Sequence, residues 1–301
     1  MTWKLDGADV HPKVIASTAT TRRAGHQVHQ LFLRRVRIFP PPGLDVEDSF
    51  FARERPLSEE EPGRVYLGVC APGRRLKAVL IRVYVAFLAS AQTLYERYGT
   101  AADPWMTLVG YFNAMQELAG MRRLCEDDIR TRLGKMDRRG LAKRSLGPWS
   151  IEELTSRLAA ADIPKKLDAM ERQFDPVEEE KRRKRDKSAR PRPVDVLLAT
   201  NMISVGVDVR RLGLMVVAGQ PKTTAEYIQA TSRVGRGDTR GVVATLFRSN
   251  RARDRSHFET FRGYHDALYR GVEPTSVTPW SLASRDRSLA GALVALLRQS
   301  L

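Results

Sequence analysis

The sequence predicts an α/β protein built on a parallel sheet, and three observations carry that prediction. Apolar runs of strand length, rich in β-branched residues, recur along the 301 residues. Longer stretches with helical periodicity separate them. The runs are near-continuously hydrophobic rather than alternating, as strands buried on both faces require.

The expected strands are "KVIAS" (13–17), "RVYLGVC" (64–70), "TLVGYF" (107–112), "VDVLLAT" (194–200), "LGLMVVAG" (212–219) and "GVVATLF" (241–247). The expected helices lie at 76–99, 113–134, 223–233 and 288–301. Two segments break the alternation. Residues 39–63 are rich in proline and acid and read as an irregular connector. The charge run at 178–193 reads as a solvated, mobile insertion, ahead of a phosphate-binding loop.

Lys+Arg 51 against Asp+Glu 35 gives a net charge of +16, so the long-range partner is a polyanion. Cys70 and Cys125, the two cysteines, argue against a disulfide framework or a zinc cluster and fit a reducing cytoplasm. No metal site is expected: His26 and His29 lack a third ligand and suit a helix surface. The amino terminus has no signal-peptide order, and no uninterrupted apolar run reaches membrane-spanning length. The expected location is therefore cytoplasmic, with no membrane partner.

Chemistry is expected in loops at the carboxyl ends of the strands. Behind "LLAT" comes "NMISVGVDVRRL", where the Thr200 hydroxyl suits a phosphate, Gly206 allows close backbone approach, and Asp208 offers an acceptor. Farther on, "YIQATSRVGRG" sets Arg233 and Arg236 at the end of a helix expected to stop at Gly237. Each feature has a bland explanation, since cations in a last turn complement the helix dipole and glycine ends helices. Their spacing together points further.

"LLATNMISVGVD" resembles motif V of superfamily-two helicases, and "YIQATSRVGRG" resembles their motif VI. "ASTAT" (16–20) is similar to motif III, and "LVGYFNAMQEL" takes the place of motif IV. More narrowly, the wording from 199 to 236 and "DRSHFETFRGYHDALYRGVEPTSVTP" look like the helicase subunit of the DISARM anti-phage defence systems. The resemblance implies a RecA-like parallel sheet flanked by helices, the P-loop NTPase-type second motor domain, with irregular insertions. It assigns Arg233 and Arg236 as arginine fingers, and Gln229, Gly206 and Asp208 to the nucleotide. Thr200 and Asn201 fall to nucleic acid, and Ser17, Thr18, Ala19 and Thr20 to interdomain coupling. ATP and Mg2+ are the implied cofactors, held mainly by a first motor domain.

That first domain is not in the sequence, which holds no G-x-x-x-x-G-K-[ST] and no acidic box. "GVCAPGRR" (68–75) is a near miss in which Arg74 and Arg75 replace the lysine and the hydroxyl. The expected organisation is a first-domain remnant at 1–24, a connector at 25–61, the second RecA-like domain at 62–250, and the start of an accessory helical region at 251–301. The implied partners are nucleic acid, DNA ahead of RNA, the missing motor domain in cis or trans, and other defence subunits. Two readings stay open: half of an ATP-dependent helicase or translocase, or a non-enzymatic nucleic-acid-binding or docking module. The aromatics around His257 and His265 are expected to fill a core ahead of stacking on bases.

Overall fold

The computed structural model describes residues 3–5, 7–10, 13–18, 20–41, 44, 50, 51, 53, 56, 58, 59, 63–204, 208–274, 278 and 280–300. The chain forms two compact units, Met1–Arg53 with Val272–Leu301, and Glu54–Gly271.

In the first unit, strands β1 (Trp3–Leu5) and β2 (Ala8–Val10) pair as an antiparallel hairpin. Helices run over Ala24–Phe32 and Leu282–Ser300. The strand expected at 13–17 does not form. Residues 13–18 are irregular and exposed, so the β-branched pair Val14 and Ile15 buries nothing that would hold it extended. His26 and His29 lie on the helix surface. The helix expected from 288 begins six residues earlier, at Leu282.

The second unit carries six parallel strands: β3 (Val65–Cys70), β4 (Leu108–Phe112), β5 (Ile151–Leu154), β6 (Val196–Ala199), β7 (Leu214–Ala218) and β8 (Val242–Phe247), in the order β3-β8-β7-β4-β6-β5. Five of these were expected, and β5 was not. The central strands are buried on both sides because successive residues feed two cores. Leu108 and Phe112 join Leu88, Leu118 and Met121 on one face; Val109 and Tyr111 join Met170 and Tyr227 on the other.

Helix Leu76–Tyr98 covers the first face. Its Tyr84 hydroxyl lies where a side chain on Gly110 would begin, 1.9 Å from an ideal Cβ, so the glycine sets how closely helix and sheet approach. By length and composition the stretch Leu76–Met106 could cross a membrane, although Lys77 and Arg82 interrupt its apolar run. Here Leu80, Ile81, Tyr84, Val85, Leu88 and Ala89 turn inward onto the sheet. The helix expected across 113–134 is interrupted: Met115–Leu124 passes through a π turn, Cys125–Ile129, into Arg130–Leu133. Burial pushes the Cys125 thiol up to about 12, leaving it an inert core group.

The charge run departs most from expectation. Its first half is a helix, Pro176–Arg183, capped by Asp175, whose carboxylate accepts the Val177 amide at 2.8 Å. Buried Glu178 pairs with Lys181 and accepts the Arg190 amide at 2.7 Å, which folds the second half back on the first. The acids at its start organise the run of cations.

Two buried ion pairs tie the amino-terminal edge of this sheet. Arg144 reaches Asp195, just before β6, at 2.6 Å, and donates to the Met106 carbonyl. Arg211 grips both Asp103 oxygens at 2.9 Å and donates to Thr107 and the Met170 carbonyl. The Phe174 ring lies between the two guanidiniums, 5.5 and 5.9 Å from them.

Candidate functional site

Helix Thr224–Thr231 follows β7 and starts with Thr223, whose hydroxyl accepts the Glu226 amide at 3.1 Å. It ends at Thr231, earlier than expected, so Arg233 and Arg236 lie beyond the helix in a loop rather than in its last turn. Gly235 and Gly237 take φ of +68° and +59°, conformations that glycine supplies without strain.

That loop is held through its backbone. Val234 is buried in the core beneath it, and the Gly235 amide donates to Leu212 O at 2.8 Å. The Thr239 hydroxyl bonds Arg210 O at 3.0 Å. A Cβ on Gly235 would come within 2.6 Å of the Gly241 Cα, so the loop and the start of β8 touch backbone to backbone.

Arg236 forms an ion pair with Asp208 across this loop, with side chains 35% and 63% exposed. Arg233 stands near both: burial first, then the Arg236 guanidinium, lower its pKa from the usual arginine range, with Asp208 opposing. Asp208 thus pairs with Arg236, and Arg233 feels the charge of both. Gln229 is exposed on the helix before them.

Asp208 was expected in a loop at the carboxyl end of a strand and the two arginines at a helix end, and the cluster lies at the amino-terminal edge of the sheet. A helix following β7 runs back over the sheet, so the loop after it opens where β3, β7 and β8 begin: Gly235 bonds Leu212 O, and the Val242 amide bonds Gly213 O at 2.7 Å. Thr200 and Asn201 do lie at a carboxyl end, behind β6, where the Thr200 amide donates to Leu154 O at 3.3 Å. Thr200 is only 6% exposed and its hydroxyl donates to Asn201 Oδ1 at 3.5 Å, whereas Asn201 is open to solvent. Gly206 and Ala19 lie outside the described residues. Ser17, Thr18 and Thr20 belong to the first unit, where the Thr20 amide donates to the Thr18 hydroxyl at 3.4 Å.

The aromatics near His265 pack inward. Tyr227 OH lies 3.0 Å from His265 Nε2 and 3.0 Å from the Thr245 hydroxyl, and His265 Nδ1 lies 2.8 Å from Phe261 O. Burial lowers the pKa of His265, disfavouring its charged form, and its Nδ1 faces a carbonyl, which only accepts, so that nitrogen donates. The motif-based reading missed Arg64, whose guanidinium reaches the arginine loop from just before β3.

Residues 165–238 match the family described as the helicase conserved C-terminal domain. That segment is similar to a helicase C-terminal domain, and the six parallel strands with their flanking helices have the RecA-like architecture. Across 299 residues, 98% of its length, the chain is 46% identical to a Bacillus paralicheniformis protein described as DISARM protein DrmA. It spans 25% of the length of that relative. Among solved structures it resembles the DUF1998 helicase MrfA bound to DNA and AMPPNP, with a TM-score of 0.52 and 13% identity over 89% of this chain and 29% of that one. That likeness is one of fold.

Proposed function

We propose that this chain supplies the C-terminal motor half of an ATP-dependent DNA helicase or translocase in phage defence. The observation that carries the reading is the Arg233, Arg236 and Asp208 cluster: two guanidiniums close enough to repel each other on a backbone-anchored loop, one of them paired with a carboxylate that stays open to solvent. A phosphate arriving from a facing domain would relieve the repulsion between the arginines and replace Asp208 as the partner of Arg236. The residues thus fit the terminal phosphate of a nucleotide held mainly elsewhere. ATP would supply the phosphoanhydride to be cleaved, and Mg2+ the neutralisation of its charge. Arg233 and Arg236 would stabilise negative charge as it grows on the transferred group, and Gln229, Gly206 and Asp208 would lie toward the nucleotide. Asn201 and Thr200 would meet the nucleic-acid backbone at the other edge of the sheet, Asn201 by its exposure. Ser17, Thr18, Ala19 and Thr20 would couple the two motor domains.

The kinship with a DISARM protein supports the defence role, and the DNA held by MrfA supports DNA as the track. The first motor domain, in cis or trans, and other defence subunits are the proposed partners, in the cytoplasm. The test is steady-state phosphate release by the protein joined to its first motor domain, with and without single-stranded DNA. Arg236→Ala is expected to lower turnover by about a thousandfold or more while DNA binding persists. Full turnover in that variant would return the loop to a structural role and favour the second reading, a nucleic-acid-binding or docking module driven by the +16 charge.

A further inference from the structure

We infer that Arg64 is the positioning residue that sets the direction of the loop arginine Arg236, an inference that rests on the finger reading above. Arg64 lies 170 residues before the loop and immediately precedes β3. Its Nε donates to Val234 O at 2.9 Å and its Nη2 to Gly235 O at 3.3 Å. Those carbonyls belong to the two residues that separate Arg233 from Arg236. The remaining nitrogen, Nη1, donates to Tyr66 OH at 3.4 Å, and that hydroxyl lies 3.5 Å from the Thr231 hydroxyl at the end of the preceding helix.

A guanidinium suits this place because its planar fork presents parallel N–H groups to two adjacent acceptors, which an ammonium cannot do with the same geometry. The fork fixes the orientation of successive peptide planes around a glycine in the left-handed region, where the backbone is otherwise most free. The second of these peptides ends at the Arg236 Cα, so holding it sets where the Arg236 Cα–Cβ bond leaves the chain, while the first holds the backbone one residue beyond Arg233. Arg64 acts through the loop, and the Tyr66 ring, 4.7 Å from the His265 ring, braces it on the sheet.

The consequence is a separation of kinetic constants. A misdirected arginine loop weakens stabilisation of charge that appears only during reaction, so kcat should fall while KM for ATP holds. In the protein joined to its first motor domain, Arg64→Ala is expected to lower kcat by about tenfold to a hundredfold, the cost of roughly 1 Å of misplacement, with KM changed less than about twofold. Arg64→Lys should fall between it and the unaltered protein. On the 301-residue chain alone, hydrogen exchange at the Gly235 amide, now bonded to Leu212 O, should speed up in Arg64→Ala while the melting temperature stays close to that of the unaltered chain.

Unchanged kcat in Arg64→Ala, beside an inactive Arg236→Ala, would overturn the inference and leave the finger reading standing. So would a loss of kcat accompanied by equal losses in KM and cooperative melting, which marks a residue needed only for folding. If Arg64→Ala does not fold, Arg64→Lys decides: turnover equal to the unaltered protein would rule out the fork. Full turnover in Arg236→Ala sinks the finger reading instead, and the exchange measurement then tells by itself whether Arg64 fixes the loop.

Discussion

Asp208 and Arg211 stand three residues apart at one edge of one sheet, and each belongs to an arginine–aspartate pair. The pair of Arg211 with Asp103 is bidentate and nearly sealed from water, with side chains 5% and 7% exposed. The pair of Asp208 with Arg236 is monodentate and more than a third open. Identical chemistry serves opposite ends because burial decides what can compete. A sealed pair has no rival ligand, and losing one partner strands a charge in the interior. An open pair is already in exchange with water and ions, so its partners are free to change without unfolding anything.

Deleting one partner of the sealed pair should give the largest effect. Arg211→Ala is expected to cost about 3–5 kcal/mol and to lower the melting temperature by roughly 10 °C, followed by calorimetry. A loss below about 1 kcal/mol would break the comparison, since the sealed pair would then behave like the open one. A smaller change is expected from Asp208→Asn, which should shift stability by less than about 1 kcal/mol in denaturant titration. Matching the loss of Arg211→Ala would show that Asp208 holds the fold and leave no room for an exchangeable partner.

The smallest effect concerns an intermediate case, the half-buried contact of His265 with Tyr227. The folded state lowers the pKa of His265, so protonation favours the unfolded chain. The stability it contributes is complete above the unfolded pKa of about 6.5 and is lost as pH falls below that value. His265→Gln, which cannot titrate, should flatten stability between about pH 7 and 5 in urea melts run at each pH. A slope identical to that of the unaltered chain would assign the acid sensitivity to other groups.

Legibility in the sequence followed the same division. Strands β3, β4, β6, β7 and β8 were readable because burial on both faces leaves a continuous apolar run. β5 was not, because it is an edge strand whose Glu152 and Glu153 break the apolar run, one on each face, where they meet Lys166 and Arg122. The segment at 13–17 has the composition of a strand without a sheet to join. In the site, the resemblance grouped Arg233, Arg236 and Asp208, and Arg236 does pair with Asp208 although 28 residues separate them. Which edge they occupy was not legible, because that depends on where helix Thr224–Thr231 turns back. Arg64 was invisible for a different reason: it recognises two carbonyls, and every residue has a carbonyl.

The contact of Gly235 with Gly241 has a mechanical consequence. Most joints between a loop and a sheet are padded by side chains, whose rotamers absorb a small push before the backbone feels it. Here the two chains meet with no such layer, and an ideal Cβ on Gly241 would stand 2.9 Å from the Gly235 Cα. A displacement at the loop therefore has no play to take up before it reaches the first residue of β8, and through the ladder of β8 with β7 and β3 it loads the whole edge of the sheet at once. Loop and strand are thus joined backbone to backbone at Gly241, the residue just before β8, with no side chain between them to take up a shift.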